Sequence, residues 1–309
     1  MQHFSKIYSA ELEGIDAQLI EVETDIHVGL HSFTIVGLAD KALTEAKERV
    51  SSALKNSGVK PPTKENRKIV VNMAPADIKK TGSQYDLAIA IGYLLATEQI
   101  KDFETKDKIF VGELSLDGKL RPVNGVLNIA KLTKKLKFKE LIVPAENAIE
   151  AAIVENIIIT PVKNLNELMA HLEKRNEITP QSQTKFTDSN IIHNIEIGEI
   201  KGQPTAKRAL TIAAAGGHNM VMIGSPGAGK TMLAQSINSI LPPMNLEESI
   251  EATQIYSAAN MLGEKSFINI RPFRSPHHTA SPVAIIGGGS PPKPGEISLA
   301  HRGVLFLDE

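Results

Sequence analysis

The chain has 309 residues, with 34 Lys and Arg against 35 Asp and Glu, so it is long enough for about two domains and carries almost no net charge. That balance excludes a generally basic nucleic-acid coat, while leaving local basic patches open. Cysteine and tryptophan are absent, which excludes disulfides, thiolate zinc sites, thiol nucleophiles and a Trp-built ligand cage.

The N-terminal MQHFSKIYSAELEG lacks the basic and apolar regions of a secretory signal. The longest mainly apolar run, LAIAIGYLLA (87–96), is too short to cross a bilayer and reads as a core helix. The composition suits a reducing cytoplasm, and no membrane partner is expected.

Residues 19–36 read as two strands around a glycine-containing turn. Residues 40–58 read as an amphipathic helix, with Leu43, Ala46, Val50 and Leu54 near helical spacing and Gly58 as its stop. A strand follows over 67–75, a helix over 85–99 and another strand over 108–116, with a tight turn at Asp117-Gly118. Short strands over 140–145 and 156–162 each precede a helical stretch. The alternation predicts a compact mixed α/β or α+β domain over 1–172, with no internal repeat.

Residues 173–196 are polar and aperiodic and read as a linker. A second domain is expected over 197–309. It opens with a helix over QPTAKRALTIAAAGG, a buried strand over HNMVMIG and a helix over KTMLAQSINSIL ended by Pro242. Residues 271–296, rich in Pro, Gly and Ser, read as loops or short hairpins.

The strongest motif is GSPGAGKT, residues Gly224, Ser225, Pro226, Gly227, Ala228, Gly229, Lys230 and Thr231. It fits the G-x-x-x-x-G-K-[ST] phosphate loop and lies between an apolar strand and a helix, where the chemistry needs it. Glycines let backbone N–H groups turn toward phosphate oxygens, and the helix N-terminus adds partial positive charge. Lys230 is placed to reach the β- and γ-phosphates of ATP, and the Thr231 hydroxyl to bind Mg2+. Downstream, VLFLDE reads as a buried strand ending in two carboxylates. Paired with the loop it reads as a Walker B element, with Asp308 holding Mg2+ through water and Glu309 as base toward the attacking water.

Several longer segments carry a resemblance. GQPTAKRALTIAAAGGHNMVMIGSPGAGKT, RPFRSPHHTAS and GGGSPPKPGEISLAHRGVLFLDE resemble the magnesium-chelatase-like AAA+ ATPases, in particular the bacterial YifB/ComM family. FTIVGLADKALTEAKERVSSALKNSG, VNMAPADIKKTGSQYDLAIAIGYL and VGELSLDGKLRPVNGVL are similar to that family's N-terminal domain. The resemblance implies a Lon-protease-like (ribosomal S5 domain 2-like) first domain and a P-loop AAA+ second domain. It implies hexameric rings, ATP and Mg2+ as cofactors, and DNA as the partner of full-length members that drive branch migration during natural transformation. It places Gly202 and Gln203 on the adenine side. Ser225 stands where many relatives have Pro, and Arg302 where relatives often have Asn. The family's fourth strand with sensor 1, arginine finger and lid are not among residues 1–309. The AAA+ part is therefore expected to be incomplete and marginal on its own, with a central strand missing from its sheet. Two other readings stand beside a DNA motor: the ATPase subunit of a magnesium chelatase, and a non-catalytic binding or assembly protein.

A Lon-like first domain raises a peptidase reading, which needs a Ser–Lys dyad. The resemblance puts Tyr85 and Leu127 at the two positions, and neither can serve; Ser83 and Lys131 lie near but displaced. The domain is expected to be non-peptidase. Arg271 and Arg274 are candidates for DNA phosphates. His277 and His278 are poor joint ligands if they are strand neighbours on opposite faces. KLTKKLKFKE (131–140), with five lysines, reads as a solvated helix face with Leu132 and Leu136 turned inward, or as a phosphate-contacting patch.

Overall fold

The computed structural model describes residues 4–38, 40–64, 66–186, 195–263, 267–289 and 292–308. It divides into two compact units, 1–185 and 186–309.

The first unit is built on one seven-stranded sheet. Its elements are β1 (Phe4–Glu13), β2 (Asp16–Val28), β3 (Ser32–Val36), α1 (Lys41–Asn56), β4 (Arg67–Ala74), α2 (Asp86–Ala96), β5 (Lys108–Phe110), β6 (Glu113–Leu114) and β7 (Leu120–Arg121). They continue with α3 (Val126–Lys135), β8 (Glu140–Pro144), α4 (Ala148–Ala151), β9 (Ile158–Val162) and α5 (Leu165–Leu172). The sheet order is β3-β4-β2-β1-β5-β8-β9, while β6 and β7 pair as a separate hairpin. β1–β2 and β2–β4 are antiparallel and the other pairs in the sheet are parallel. This is the mixed α/β fold the sequence predicts.

Two cores cover the sheet. One gathers Ile7, Ile20, Val22, Leu43, Val50, Leu54 and nearly all of α2. The other gathers Ala10, Ile109, Leu141 and Val143 under α3 and α4. α2 is buried along both sides, which explains why its sequence is apolar all round rather than striped. α1 buries the predicted Leu43, Ala46, Val50 and Leu54, and the Asp40 side chain caps it by accepting from Leu43 N–H at 2.7 Å.

β1 is absent from the sequence reading. Its inward face carries Ser5, Ser9 and Glu11 beside Ile7, so the two-residue hydrophobic period is masked by buried polar groups. Part of the segment read as a linker also belongs here. Ile178 N–H donates to His171 Nδ1, Gln181 N–H to the Ile159 carbonyl and Thr184 N–H to the Ala152 carbonyl.

The second unit contains α6 (Pro204–Gly216), α7 (Lys230–Ser236), α8 (Leu246–Ala258), β10 (Phe273–Arg274), α9 (Pro282–Ile286), β11 (Gly287–Gly288), β12 (Lys293–Pro294), α10 (Glu296–Leu299) and β13 (Val304–Leu305). β10 and β13 pair in parallel, and β11 and β12 form a hairpin within the Pro/Gly-rich stretch. α8 was not read from the sequence, although Asn245 and Glu248 form a full capping box at its start.

Two strand expectations need correction. Residues 219–223 form no ladder: Met220 and Met222 pack on Ile200, Leu210 and Leu233, while Val221 and Ile223 are 82% and 96% exposed. The alternation is that of a strand, but among the described residues no neighbouring strand pairs with it. Residues 304–308 are likewise not buried. Only Val304 and Leu305 are paired, on one flank, and Leu307 and Asp308 are exposed. Gly303 permits that one pairing, because a Cβ there would collide with the Pro272 backbone.

Candidate functional site

The site in the second unit begins where apolar burial stops. Met222 is the last residue before the loop to pack on the small core, and Gly224–Gly229 then turn through open space. Gly227 and Gly229 take φ of +77° and +83°, a left-handed conformation that L side chains adopt only under strain. No atom lies within 4 Å of where their Cβ atoms would be, so the backbone there is open to an approaching ligand.

Lys230 opens α7 and folds back over the loop. Its Nζ donates to the carbonyls of Gly224 at 3.0 Å and Ser225 at 3.2 Å. Thr231 follows on the same turn, and its Oγ1 donates to Asp308 Oδ2 at 3.2 Å, across 77 positions of sequence. The pairing depends on β13: Phe306 N–H donates to the Arg274 carbonyl, and the Phe273 and Phe306 rings stack at 6.0 Å, which carries Asp308 to the loop. Glu309 lies outside the described residues.

Gln203 sits at the entry of α6. Gly202 and Gln203 both have left-handed φ, +71° and +53°, and Pro204 starts the helix. Gln203 lines a groove of about 380 Å3 whose other walls include Ile200, Gly227, Ala228, Gly229 and Met232. The structure thus brings Gln203, the loop glycines, Lys230, Thr231 and Asp308 into one region. Gly202, Ser225 and Pro226 belong to the same two segments but do not line the groove.

A group that tests this region is a nucleoside triphosphate with Mg2+. The fit rests on three observations: glycine backbone open to solvent, a lysine that donates to two loop carbonyls, and a hydroxyl beside a carboxylate. The first two suit phosphate oxygens, and the third is a hard oxygen pair suited to Mg2+.

Other candidates are placed differently. Arg271 donates to the Pro242 and Arg302 carbonyls at 2.6 and 2.7 Å and pairs with Glu248 at 2.9 Å. Arg274 forms a fork on Glu296 at 2.5 and 2.6 Å. Both arginines are consumed by internal carboxylates, so they brace β10 rather than project toward DNA. Sequence reading missed Glu248 and Glu296 as their partners; the capping box at Asn245 would have located the first. His277 and His278 lie in a turn, not a strand, with rings 4.2 Å apart on one side, and no group of three or more His, Asp or Glu gathers among the described residues.

In the first unit, the Tyr85 hydroxyl donates to Glu11, which also accepts from Thr81 Oγ1 at 2.8 Å, Thr81 N–H at 3.2 Å and Gln84 Nε2 at 2.9 Å. Burial and the adjacent carboxylate push the Tyr85 phenol up, so it stays protonated. Leu127 is fully buried in α3. Ser83 donates its hydroxyl to Glu113, which occupies the proton a nucleophile would have to give to a base.

The family model described as magnesium chelatase, subunit ChlI, matches residues 196–309, and the one described as subunit ChlI of Mg-chelatase matches residues 22–147. Competence protein ComM of Haemophilus influenzae is 44% identical over 312 residues, covering 98% of this chain and 59% of that protein. The uncharacterized protein YifB of Escherichia coli is 42% identical over 306 residues, covering 99% of this chain and 59% of that protein. The chain belongs to the YifB/ComM family. It spans 59% of the length of these relatives. Lon protease of Rhizobium meliloti is 24% identical over 166 residues, 51% of this chain and 20% of that protein. No helix among the described residues is long and apolar enough to cross a membrane.

Proposed function

We propose that this YifB/ComM family member binds ATP with Mg2+ in its second unit and contributes that site to a DNA-acting AAA+ motor of the ComM type. The observation that carries the reading is the Thr231–Asp308 contact beside a lysine-bearing glycine loop. Gly224–Thr231 would hold the triphosphate, Gln203 and Gly202 would flank the base, and Thr231 with Asp308 would hold Mg2+, which supplies charge neutralisation at the phosphates when bound. Before binding, Lys230 must leave its two loop carbonyls, so the ammonium exchanges neutral acceptors for charged ones. Glu309 would act as general base. In this reading the first unit, 1–185, is a non-peptidase assembly or binding module, and full-length members assemble as rings on DNA in the cytoplasm.

The test is isothermal titration of the chain with Mg-ATP. Binding is expected for the natural sequence and lost in Lys230→Ala; equal binding by both would sink the assignment. In full-length protein, ATP hydrolysis should rise when branched or single-stranded DNA is added.

A magnesium-chelatase role is a second reading, favoured by the wording of the two matching family models. It requires magnesium insertion into a porphyrin in the presence of partner subunits, measured by porphyrin fluorescence. The ComM-type reading predicts no such activity.

A further inference from the structure

The exposed end of α3 carries a charge pattern that the nucleotide site does not use. Residues 131–139 hold five lysines and no acidic residue, in a chain whose formal net charge is −1. Lys131, Lys134 and Lys135 share the solvent face of the helix, Lys137 sits in the left-handed turn that ends it, and Lys139 leads into β8. The opposite face is sealed: Val126, Leu127, Ile129 and Ala130 are at most 1% exposed.

Several of the unit's other basic side chains are paired with carboxylates. Lys6 meets Glu21, Arg49 meets Asp86, Lys108 meets Glu140, Lys119 meets Asp117 and Arg121 meets Glu113. Lys139 meets Asp107 at 3.3 Å. Among the described residues, Lys134, Lys135 and Lys137 have no such partner. The placement of Lys131 three and four positions before Lys134 and Lys135 is also locally unfavourable, since like charges at those spacings on a helix cost a few tenths of a kcal/mol per pair. A lysine in the last turn gains roughly 0.3–1 kcal/mol from the helix dipole, which accounts for one or two of them but not for five.

Leu136 decides against a purely structural role. A solvated amphipathic face would turn Leu136 inward, but it caps the helix at 41% exposure, among the lysines. Beside it the Phe138 and Tyr8 rings meet edge to face at 5.2 Å, and Lys6 lies 5.6 Å from the centre of the Tyr8 ring. The patch is thus basic, with aromatic and apolar side chains between the charges.

We propose that Lys131, Lys134, Lys135, Lys137 and Lys139 form a contact surface on the first unit for the phosphate backbone of DNA, independent of base sequence. This rests on the DNA half of the proposed function. The chemistry favours nucleic acid over an anionic membrane. A helix adsorbs to lipid by inserting its apolar face, and that face of α3 is packed inside the unit. Phosphate contacts need only ammonium groups presented in a row, and they release counterions.

The test is fluorescence anisotropy of a labelled single-stranded oligonucleotide and its duplex with the full 309-residue chain, in nucleotide-free buffer across a salt series. The triple variant K134Q/K135Q/K137Q should bind both at least about tenfold more weakly. Its log K against log salt slope should be shallower by about 2 for single strands and nearly 3 for duplex, at about 0.7 and 0.9 per phosphate contact. The loss should be the same for different base sequences. K55Q/K60Q, on the surface of the same unit, should bind as the natural chain does. An unchanged thermal midpoint in the triple variant separates lost contacts from lost fold. Natural affinity and slope in the triple variant would overturn the surface assignment alone. No DNA binding by the natural chain, or binding only to phosphatidylserine vesicles, would overturn it together with the DNA half of the function. Mg-ATP binding and its dependence on Lys230 would stand in either case.

Discussion

The two units solve the burial of polar groups in opposite ways. In the first, charged groups are drawn inside and tied: Glu11 accepts four hydrogen bonds, and Asp86, fully buried at the start of α2, takes a fork from Arg49 at 2.7 and 3.0 Å and a Leu114 N–H at 3.3 Å. In the second, the polar groups that matter stay at the surface. Lys230, Thr231 and Asp308 are reached by solvent, and the nearest core has Ile200, Leu210 and Leu233 as its buried members. A sealed sheet is suited to hold a shape. A loosely buried loop is suited to admit a ligand, because residues that bind must be free to change partners.

Core truncation should break this contrast most strongly. Phe110→Ala, in the interior strand β5 of the first unit's sheet, should cost about 3–5 kcal/mol of that unit's stability. Leu233→Ala should cost the second unit about 2 kcal/mol, at the low end of the range because its surroundings are open enough to collapse. Urea unfolding followed separately in each unit measures both. Comparable losses would mean that the second unit is as tightly packed as the first.

The next effect is in pH. Burial pushes Asp86 up to about 6, even against the Arg49 guanidinium that holds it down. The folded state therefore retains the proton longer than the unfolded chain, whose Asp titrates near 4. The stability from this group is complete below about pH 4 and is lost as pH rises through about 6. Asp86→Asn should flatten the first unit's stability between those values. Arg49→Ala should steepen the loss and cost about 3 kcal/mol near neutrality, where a buried carboxylate is left without its partner.

Smaller effects belong to the second unit. Asn245→Ala removes the capping box of α8 and should cost about 1 kcal/mol, read as a lower thermal midpoint for that unit alone. Glu251 should titrate at about 2 by NMR, because Arg302 and His301 hydrogen-bond its exposed carboxylate. Its contribution is present above the ordinary Glu range and is lost as pH falls toward 2. Arg302→Ala should return the titration upward.

The sequence disclosed these units unequally. α1 and α2 were legible because their burial follows from pattern, striped in one and apolar throughout in the other. β1 was hidden because Ser5, Ser9 and Glu11 point inward. The phosphate-loop pattern could be read because its residues keep a fixed spacing, and Asp308 drew notice because an apolar run ends on it. What spacing could not show is state: that 219–223 finds no partner strand among the described residues, that Lys230 rests on carbonyls, and that Arg271 and Arg274 are held by Glu248 and Glu296. Those follow from which partners the fold supplies, and pairing across tens of residues leaves no local signature.

The central claim is that a closed first unit accompanies an open second unit with a nucleotide site. Hydrogen exchange of the full chain, with and without Mg-ATP, tests it most directly. Amides of β1, β2, β4 and β5 should exchange slowly in both conditions. Those of 219–229 and 307–308 should exchange fast without nucleotide and slow markedly with it, but not in Lys230→Ala. Sheet-like protection of 219–229 without nucleotide, or no change on adding saturating Mg-ATP, would contradict the account.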